Sequence, residues 1–138
     1  MNKKLFLLLV AVHISCIAIA ETLDRVGGKE IPPSAVLMCD EHVIGEPSGK
    51  PLHIDWQAFG VNEGVSEVVQ FYQSQFRRPP VLESNGQSYT WTIKGEDNVL
   101  KYSVKPPSAA GPWTGCLMPP SNFRAVVLIS KAIGATSR

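Results

Sequence analysis

The sequence of 138 residues contains few of the residue types and patterns that mark catalytic or metal-binding sites. It has three cysteines and three histidines, with no Gly-x-Ser-x-Gly turn, no Cys-x-x-Cys pair and no local zinc-ligand spacing. The glycine-rich stretches at 27–28 and 45–49 lack the strand-to-helix setting of a phosphate-binding loop. These absences favour a protein that is not an enzyme and that holds no cofactor or metal ion.

An excess of either charge is also absent. The chain has 13 Lys and Arg residues and 12 Asp and Glu residues. Two of the basic residues and none of the acidic ones lie within residues 1–20. The remaining 138 − 20 = 118 residues therefore carry 13 − 2 = 11 basic and 12 acidic groups, a net charge of −1. A nucleic-acid-binding domain would show a clustered basic face, so no nucleic-acid partner is expected.

The N-terminus of the sequence carries a long apolar run. Lys3 and Lys4 precede an unbroken apolar run over residues 5–12, and the small-x-small sequence Ala-Ile-Ala follows at 18–20. This order is typical of a signal peptide that is cleaved after Ala20. It predicts a periplasmic or secreted protein, and the 118 residues left are close to the common size of a single domain.

Two alternatives to cleavage compete with this interpretation. A membrane anchor needs about 20 apolar residues. His13 and Ser15 interrupt a run that is already shorter, so no membrane span is expected after cleavage. A lipoprotein would be acylated on Cys16, for which Ser15 is a suitable preceding residue. His13 stands where such proteins usually carry leucine, which favours cleavage after Ala20.

Cys39 and Cys116 are the two cysteines that remain after cleavage. An even pair in an oxidising compartment predicts a disulfide. Closing a loop of 76 intervening residues removes unfolded-chain entropy worth about 4 kcal/mol. Because the two cysteines are far apart in the sequence, a structural role is favoured over a redox role.

Residues 63–76 have the spacing of an amphipathic helix. Their apolar residues fall on one stripe, which consists of Val65, Val68, Val69, Tyr72 and Phe76. Asn62 is a suitable N-cap, and Pro79-Pro80 is expected to end the helix. Phe71 lies at the border of the stripe, where it would either widen the buried face or project as an exposed aromatic residue.

The other periodic segments predict β-strands. They are 52–58, 81–84, 87–93, 100–105 and 123–130. Asn85-Gly86 predicts a type I′ hairpin turn, in which both residues adopt positive φ. The last segment has an unbroken apolar run, which is typical of a strand buried on both sides at the centre of a sheet.

These elements predict a two-layer α+β domain over residues 52–132. One amphipathic helix would pack on an antiparallel sheet of about five strands, in the order strand, helix and then four strands. Residues 21–51 contain glycine and proline at short intervals and predict a loop-rich arm with one short strand at 35–38. Residues 133–138 are expected to form a frayed tail.

The connection over residues 106–121 is long for a compact domain. It holds five prolines, and Trp113, Leu117 and Met118 surround Cys116. One interpretation is a preorganised surface for an unknown protein partner in the envelope or outside the cell, with Phe71 as a further contact. The other interpretation is a lid that only covers the sheet and the disulfide. The sequence thus predicts a binding module and names these four residues as candidates.

Other polar residues give no stronger indication of chemistry. His42 follows two acidic residues and His53 precedes Asp55 by two, so a small metal site formed by both segments is conceivable. Nothing reproduces the ligand spacing of a zinc motif, however, and surface or strand histidines are favoured, so metal binding is not predicted. Glu96-Asp97 is the densest pair of carboxylates, in a loop where solvated charges are ordinary. An enzyme of an unrecognised type would need a pocket lined by His53, Asp55 or a carboxylate pair.

Residues 85–95 read Asn-Gly-Gln-Ser-Tyr-Thr-Trp-Thr-Ile-Lys-Gly. This stretch resembles the Ser-Gly-x-x-Tyr and Tyr-x-x-x-Thr-Lys-Gly motifs of bacterial inhibitors of c-type lysozyme. Asn85 replaces the serine, Ile93 replaces the threonine, and Tyr89 serves both motifs. The resemblance implies a disulfide-linked β-barrel and an alternative function, inhibition of a hydrolase such as c-type lysozyme by the 85–95 hairpin.

Overall fold

The computed structural model describes residues 22–46, 49–111 and 116–134. In chain order the elements are β1 (Val36–Gly45), β2 (Leu52–Val61), α1 (Val65–Phe76), β3 (Val81–Leu82), β4 (Tyr89–Lys94), β5 (Asn98–Lys105) and β6 (Ala125–Ile133). Single turns of 3-10 helix lie at Pro107–Ala109 and Pro120–Asn122. The predicted signal peptide and most of the predicted tail lie outside the described residues. Within those residues, no helix is long and apolar enough to cross a membrane.

The six strands form one open antiparallel sheet in the order β1-β2-β6-β5-β4-β3. The helix α1 packs on one face of this sheet. The predicted α+β class is therefore confirmed. The strand β6 lies between β2 and β5, and its residues 125–127 are all buried, as the unbroken apolar run predicted.

The sheet has six strands rather than about five, because β1 forms within the arm that was expected to be mostly loop. The strand begins at Val36, near the predicted short strand, but it continues to Gly45. Its central residues Asp40, Glu41 and His42 are exposed. An edge strand of this kind is solvated on both faces, so its sequence lacks the alternation by which half-buried strands are recognised.

The helix begins two residues later than predicted. Gly64 rather than Asn62 is the N-cap residue, and its N–H donates a hydrogen bond of 2.7 Å to a carboxylate oxygen of Glu67. The helix ends at Phe76, and Arg77 adopts a left-handed conformation with φ of 53°. The chain thus leaves the helix before Pro79-Pro80, as predicted.

Two clusters of buried residues lie on opposite faces of the sheet. The cluster under α1 includes the rings of Tyr72, Trp91 and Tyr102. Its members on the strands alternate with residues of the second cluster, which consists of Met38, Cys39, Ala58, Ala110 and Val126. The helix covers one face, and the connection between β5 and β6 covers part of the other.

The turn between β3 and β4 is wider than the predicted type I′ turn. Gly86 has φ of 67°, but Asn85 does not adopt positive φ. The side-chain oxygen of Asn85 instead accepts hydrogen bonds of 3.0 Å from the N–H groups of Gln87 and Ser88. These hydrogen bonds form an Asx turn, which reverses the chain without a second residue of positive φ. The strand β3 has only two paired residues.

Candidate functional site

The four candidate residues occupy different environments. Trp113 lies outside the described residues. Leu117 is the most exposed large apolar side chain in the described part of the chain, with 82% of its surface accessible. Met118 is half-buried against the second cluster. Phe71 is half-buried against the cluster under α1, with its ring edge-on to that of Tyr72 and 5.2 Å between the ring centroids.

The backbone around Leu117 is fixed from two sides. The preceding residue, Cys116, forms the predicted disulfide with Cys39 of β1. The N–H of Leu117 donates a hydrogen bond of 3.0 Å to the carbonyl oxygen of Met38. Met38 lies in the edge strand β1, so this bond extends the hydrogen bonding of the sheet to the connection by one bond. The long connection is therefore attached to β1 at the place where Leu117 projects into solvent.

A shallow depression of about 260 Å³ lies next to Leu117. It is lined by Leu37, Met38, Cys39, Asp40, Glu41 and Leu117. Leu37 is 38% exposed, so the lining includes two exposed leucines and two carboxylates. We call these six residues the Leu117 surface.

The inner side of the same connection covers the sheet. Ala110 belongs to the second cluster, and Met118 and Phe123 pack against it, on the face opposite α1. The C-terminal end of this connection is held closely, because a Cβ at Gly60 would lie 2.1 Å from the ring of Phe123. The described parts of the connection thus cover the sheet on one side and present Leu117 on the other.

A second apolar depression lies farther along the face opposite α1. It has a volume of about 260 Å³ and is lined by Ile54, Trp56, Leu128 and Ser130. These residues belong to the neighbouring strands β2 and β6, where Trp56 is paired with Ser130 and Ile54 with Ala132. The depression is formed by the sheet itself and contains no ionisable side chain.

A polar network occupies the helix-side face of β1 and β2, beyond the region that α1 covers. Arg25 forms an ion pair and hydrogen bonds with Asp40, including one of 3.0 Å from Nε. Gln57 donates a hydrogen bond of 2.8 Å to Asp40 and accepts one of 2.9 Å from the backbone N–H of Arg25. The hydrogen bonds from Arg25 hold the pKa of Asp40 below its ordinary value, against the opposing effect of burial.

The network continues to Asp55 and two histidines. Nδ1 of His42 lies 2.8 Å from Oδ1 of Asp55, and Nε2 of His42 lies 3.5 Å from Nδ1 of His53. The hydrogen bond from His42 is the main cause that lowers the pKa of Asp55, with the charge of Arg25 contributing. We call His42, His53 and Asp55 the histidine cluster.

The sequence made a site from the His42 and His53 segments conceivable but did not predict it. His42 and Asp55 face each other only because β1 and β2 pair in a specific register, in which His53 faces Ile44. The three side chains then lie on one face of the sheet, since residues two apart on a strand share a face. The cluster could have been predicted only if β1 had been recognised as a strand. The exposed, charged sequence of β1 lacks the alternation by which a strand is recognised.

The hairpin that resembles lysozyme inhibitors belongs to a different fold from the one implied. The resemblance implied a β-barrel, whereas this sheet is open, with β1 and β3 at its edges, and carries a helix. Tyr89 and Ile93 are half-buried on the helix-side face, and Trp91 between them is fully buried and donates a hydrogen bond to the carbonyl oxygen of Arg78. Trp91 of the motif therefore belongs to the core.

No family model matches the chain, and no curated protein or solved structure is significantly similar to it.

Proposed function

We propose that the chain is a small exported protein without enzymatic activity that binds a protein partner, in the cell envelope or outside the cell, through the Leu117 surface. The observation that carries this proposal is the combination of exposure and restraint at Leu117. The side chain is 82% exposed, while its backbone is held by a neighbouring disulfide and by a hydrogen bond to Met38.

Restraint matters because binding costs conformational entropy. An apolar side chain on a mobile loop must be ordered when a partner binds, whereas one that is already positioned loses little freedom. A solvated leucine has no folding advantage of its own, since it leaves its apolar area in water. The position of Leu117 therefore favours a role in contacts outside the chain.

The shape and charge of the surface suggest the chemistry of the partner. Leu37 and Leu117 border an apolar recess that can accept one aliphatic or aromatic side chain. Asp40 is already paired with Arg25, which leaves Glu41 as the available carboxylate of the lining. The complementary segment would carry an apolar side chain close to a Lys or Arg residue.

Export is supported by two independent features. The disulfide between Cys39 and Cys116 is of the kind that persists in oxidising compartments. The N-terminal order of basic, apolar and small residues is that of a signal peptide. Both are consistent with a partner that is itself in the envelope or outside the cell.

The proposal is tested by comparing two surface variants in a crosslinking capture from intact cells. Leu117→Ser removes the central contact, and Val81→Ser, at a 70% exposed position on the opposite edge strand β3, is the matched control. Both substitutions leave the core untouched. We expect Leu117→Ser to lose partners that the wild type and Val81→Ser both capture. Capture of the same proteins in the same amounts by Leu117→Ser would refute the proposal.

A further inference from the structure

The two histidines of the histidine cluster lie on adjacent strands at the end of the sheet far from Leu117. His42 is in β1 and His53 is in β2, diagonally across the pair, because His42 faces Asp55 in the register. Their ring centroids are 5.6 Å apart, and Nε2 of His42 lies 3.5 Å from Nδ1 of His53. The side chain of His42 is 50% exposed, so its imidazole is accessible from solvent.

This distance agrees with the spacing of two ligands on one metal ion. A zinc–imidazole bond is about 2.0–2.1 Å long and the usual geometry is tetrahedral, which places two ligand nitrogens about 3.4 Å apart. The observed separation of 3.5 Å is close to that value. Two neutral imidazoles whose nitrogens meet at this spacing can therefore bind the same ion with little rearrangement of either ring.

Asp55 fixes the ring tautomer of His42 that such binding requires. Its carboxylate accepts a hydrogen bond from Nδ1 of His42 at 2.8 Å. An imidazole that donates from Nδ1 presents the lone pair of Nε2, which is the nitrogen next to His53. Metal-ligating histidines commonly donate their other N–H group to a carboxylate, which orients the ring and increases its basicity.

We propose that His42 and His53 bind a divalent transition-metal ion that prefers imidazole ligands, of the zinc and copper class, with Asp55 as the positioning residue behind His42. The ion would be bound through Nε2 of His42 and Nδ1 of His53, and water would complete its coordination. Among the described residues, no group of three or more His, Cys, Asp or Glu side chains can hold a metal ion. The site is therefore an open, two-histidine site that binds more weakly than a closed four-ligand site.

The charges around the cluster are consistent with a carboxylate that stays behind His42. Arg25 lies 3.8 Å from the Asp55 carboxylate, and Lys131 faces Asp55 across β2 and β6. Arg25 and Lys131 thus place positive charge around the Asp55 carboxylate, which holds His42 through its hydrogen bond.

The test is isothermal titration calorimetry of the oxidised protein with zinc chloride in a buffer that does not coordinate metals. We expect one zinc ion to bind with micromolar affinity. His42→Ala and His53→Ala should each weaken binding by more than about tenfold, because either leaves a single imidazole, and Asp55→Asn should weaken it by about tenfold. Glu41→Gln is the matched control, since Glu41 adjoins His42 but faces Trp56 on the other side of the sheet.

A second measurement does not depend on variants that fold. In the NMR spectrum of the wild type, the imidazole proton signals of His42 and His53 should shift or broaden on addition of zinc, before signals from the rest of the chain. The proposal is overturned if zinc at millimolar concentration produces neither heat nor these shifts. It is also overturned if His42→Ala and His53→Ala, shown to be folded by circular dichroism, bind zinc as tightly as the wild type.

Discussion

The hydroxyl of Tyr102 donates a hydrogen bond of 2.5 Å to the carboxylate of Asp24, across 78 residues of sequence. Asp24 is nearly fully buried, and it also accepts hydrogen bonds from the backbone N–H groups of Gly27, Gly28 and Lys29. The contact attaches the segment before β1 to the centre of the sheet on the helix side. A buried carboxylate is tolerated because its oxygens are used by these donors.

Tyr102→Phe should destabilise the protein. The substitution keeps the ring but removes one of the donors to a buried charge, and hydrogen bonds to charged groups contribute about 1.5–3 kcal/mol. The free energy of unfolding from urea titration measures the loss. Tyr72→Phe is the matched control, because the buried hydroxyl of Tyr72 has no hydrogen-bond partner among the described residues. Removal of the Tyr72 hydroxyl should leave the free energy of unfolding unchanged or increase it. Equal effects of the two substitutions would contradict this account.

Gly27→Ala should destabilise the same contact by steric means. A Cβ at Gly27 would lie 2.0 Å from the hydroxyl oxygen of Tyr102, so either the loop or the ring must move. Overpacking of this kind typically costs about 1–3 kcal/mol. Gly64→Ala, where the nearest atoms are 3.6 Å from the added Cβ, should cost less. The midpoint temperature of thermal unfolding of both variants provides the measurement. A larger decrease for Gly64→Ala than for Gly27→Ala would contradict this account.

Removal of the disulfide should destabilise the chain and release the Leu117 surface together. The double variant Cys39→Ser, Cys116→Ser loses the entropic restraint of a long closed loop, about 4 kcal/mol. Urea unfolding with and without reductant provides the measurement. The wild type should become less stable when it is reduced, while the double variant should not respond to reductant. A wild-type protein that is equally stable in both states would contradict a structural role for the bond.

Acid should weaken the polar network through Asp40. The Arg25 hydrogen bonds lower the pKa of Asp40 in the folded protein. A lowered folded-state pKa contributes stability that is present above the unfolded-state pKa and is lost as the pH falls through the folded-state value. The unfolding free energy of the wild type should therefore decrease below about pH 4, the ordinary range of an aspartate. Asp40→Asn and Arg25→Gln should each reduce this decrease, and an unchanged pH profile in both would show that the pair is not coupled to folding.

The core elements were predictable because their sequences repeat with a clear period. The stripe that includes Val68 and Tyr72 specified the helix, and both residues are buried. The alternation of Tyr89, Trp91 and Ile93 specified β4, and the unbroken run in β6 specified the centre of the sheet. In each case the burial of one or both faces imposes the pattern on the sequence.

The features that were not predicted depend on how strands pair and on local hydrogen bonds, not on the spacing of apolar residues along the sequence. The edge strand β1 has solvent on both sides of its centre, so no apolar alternation reveals it. The turn at Asn85 uses a side-chain hydrogen bond in place of the expected backbone conformation. The approach of His42 to His53 requires the register of β1 and β2, which the separate segments do not contain.

The most direct test of a disulfide-held binding surface is site-specific photocrosslinking in intact cells. A photoreactive phenylalanine derivative at position 117 should give a discrete adduct with one partner, and the same residue at position 81 should not. The adduct should disappear when the photoreactive residue at 117 is combined with Cys39→Ser and Cys116→Ser. No adduct at 117, or the same adduct at 117 and 81, would contradict the account.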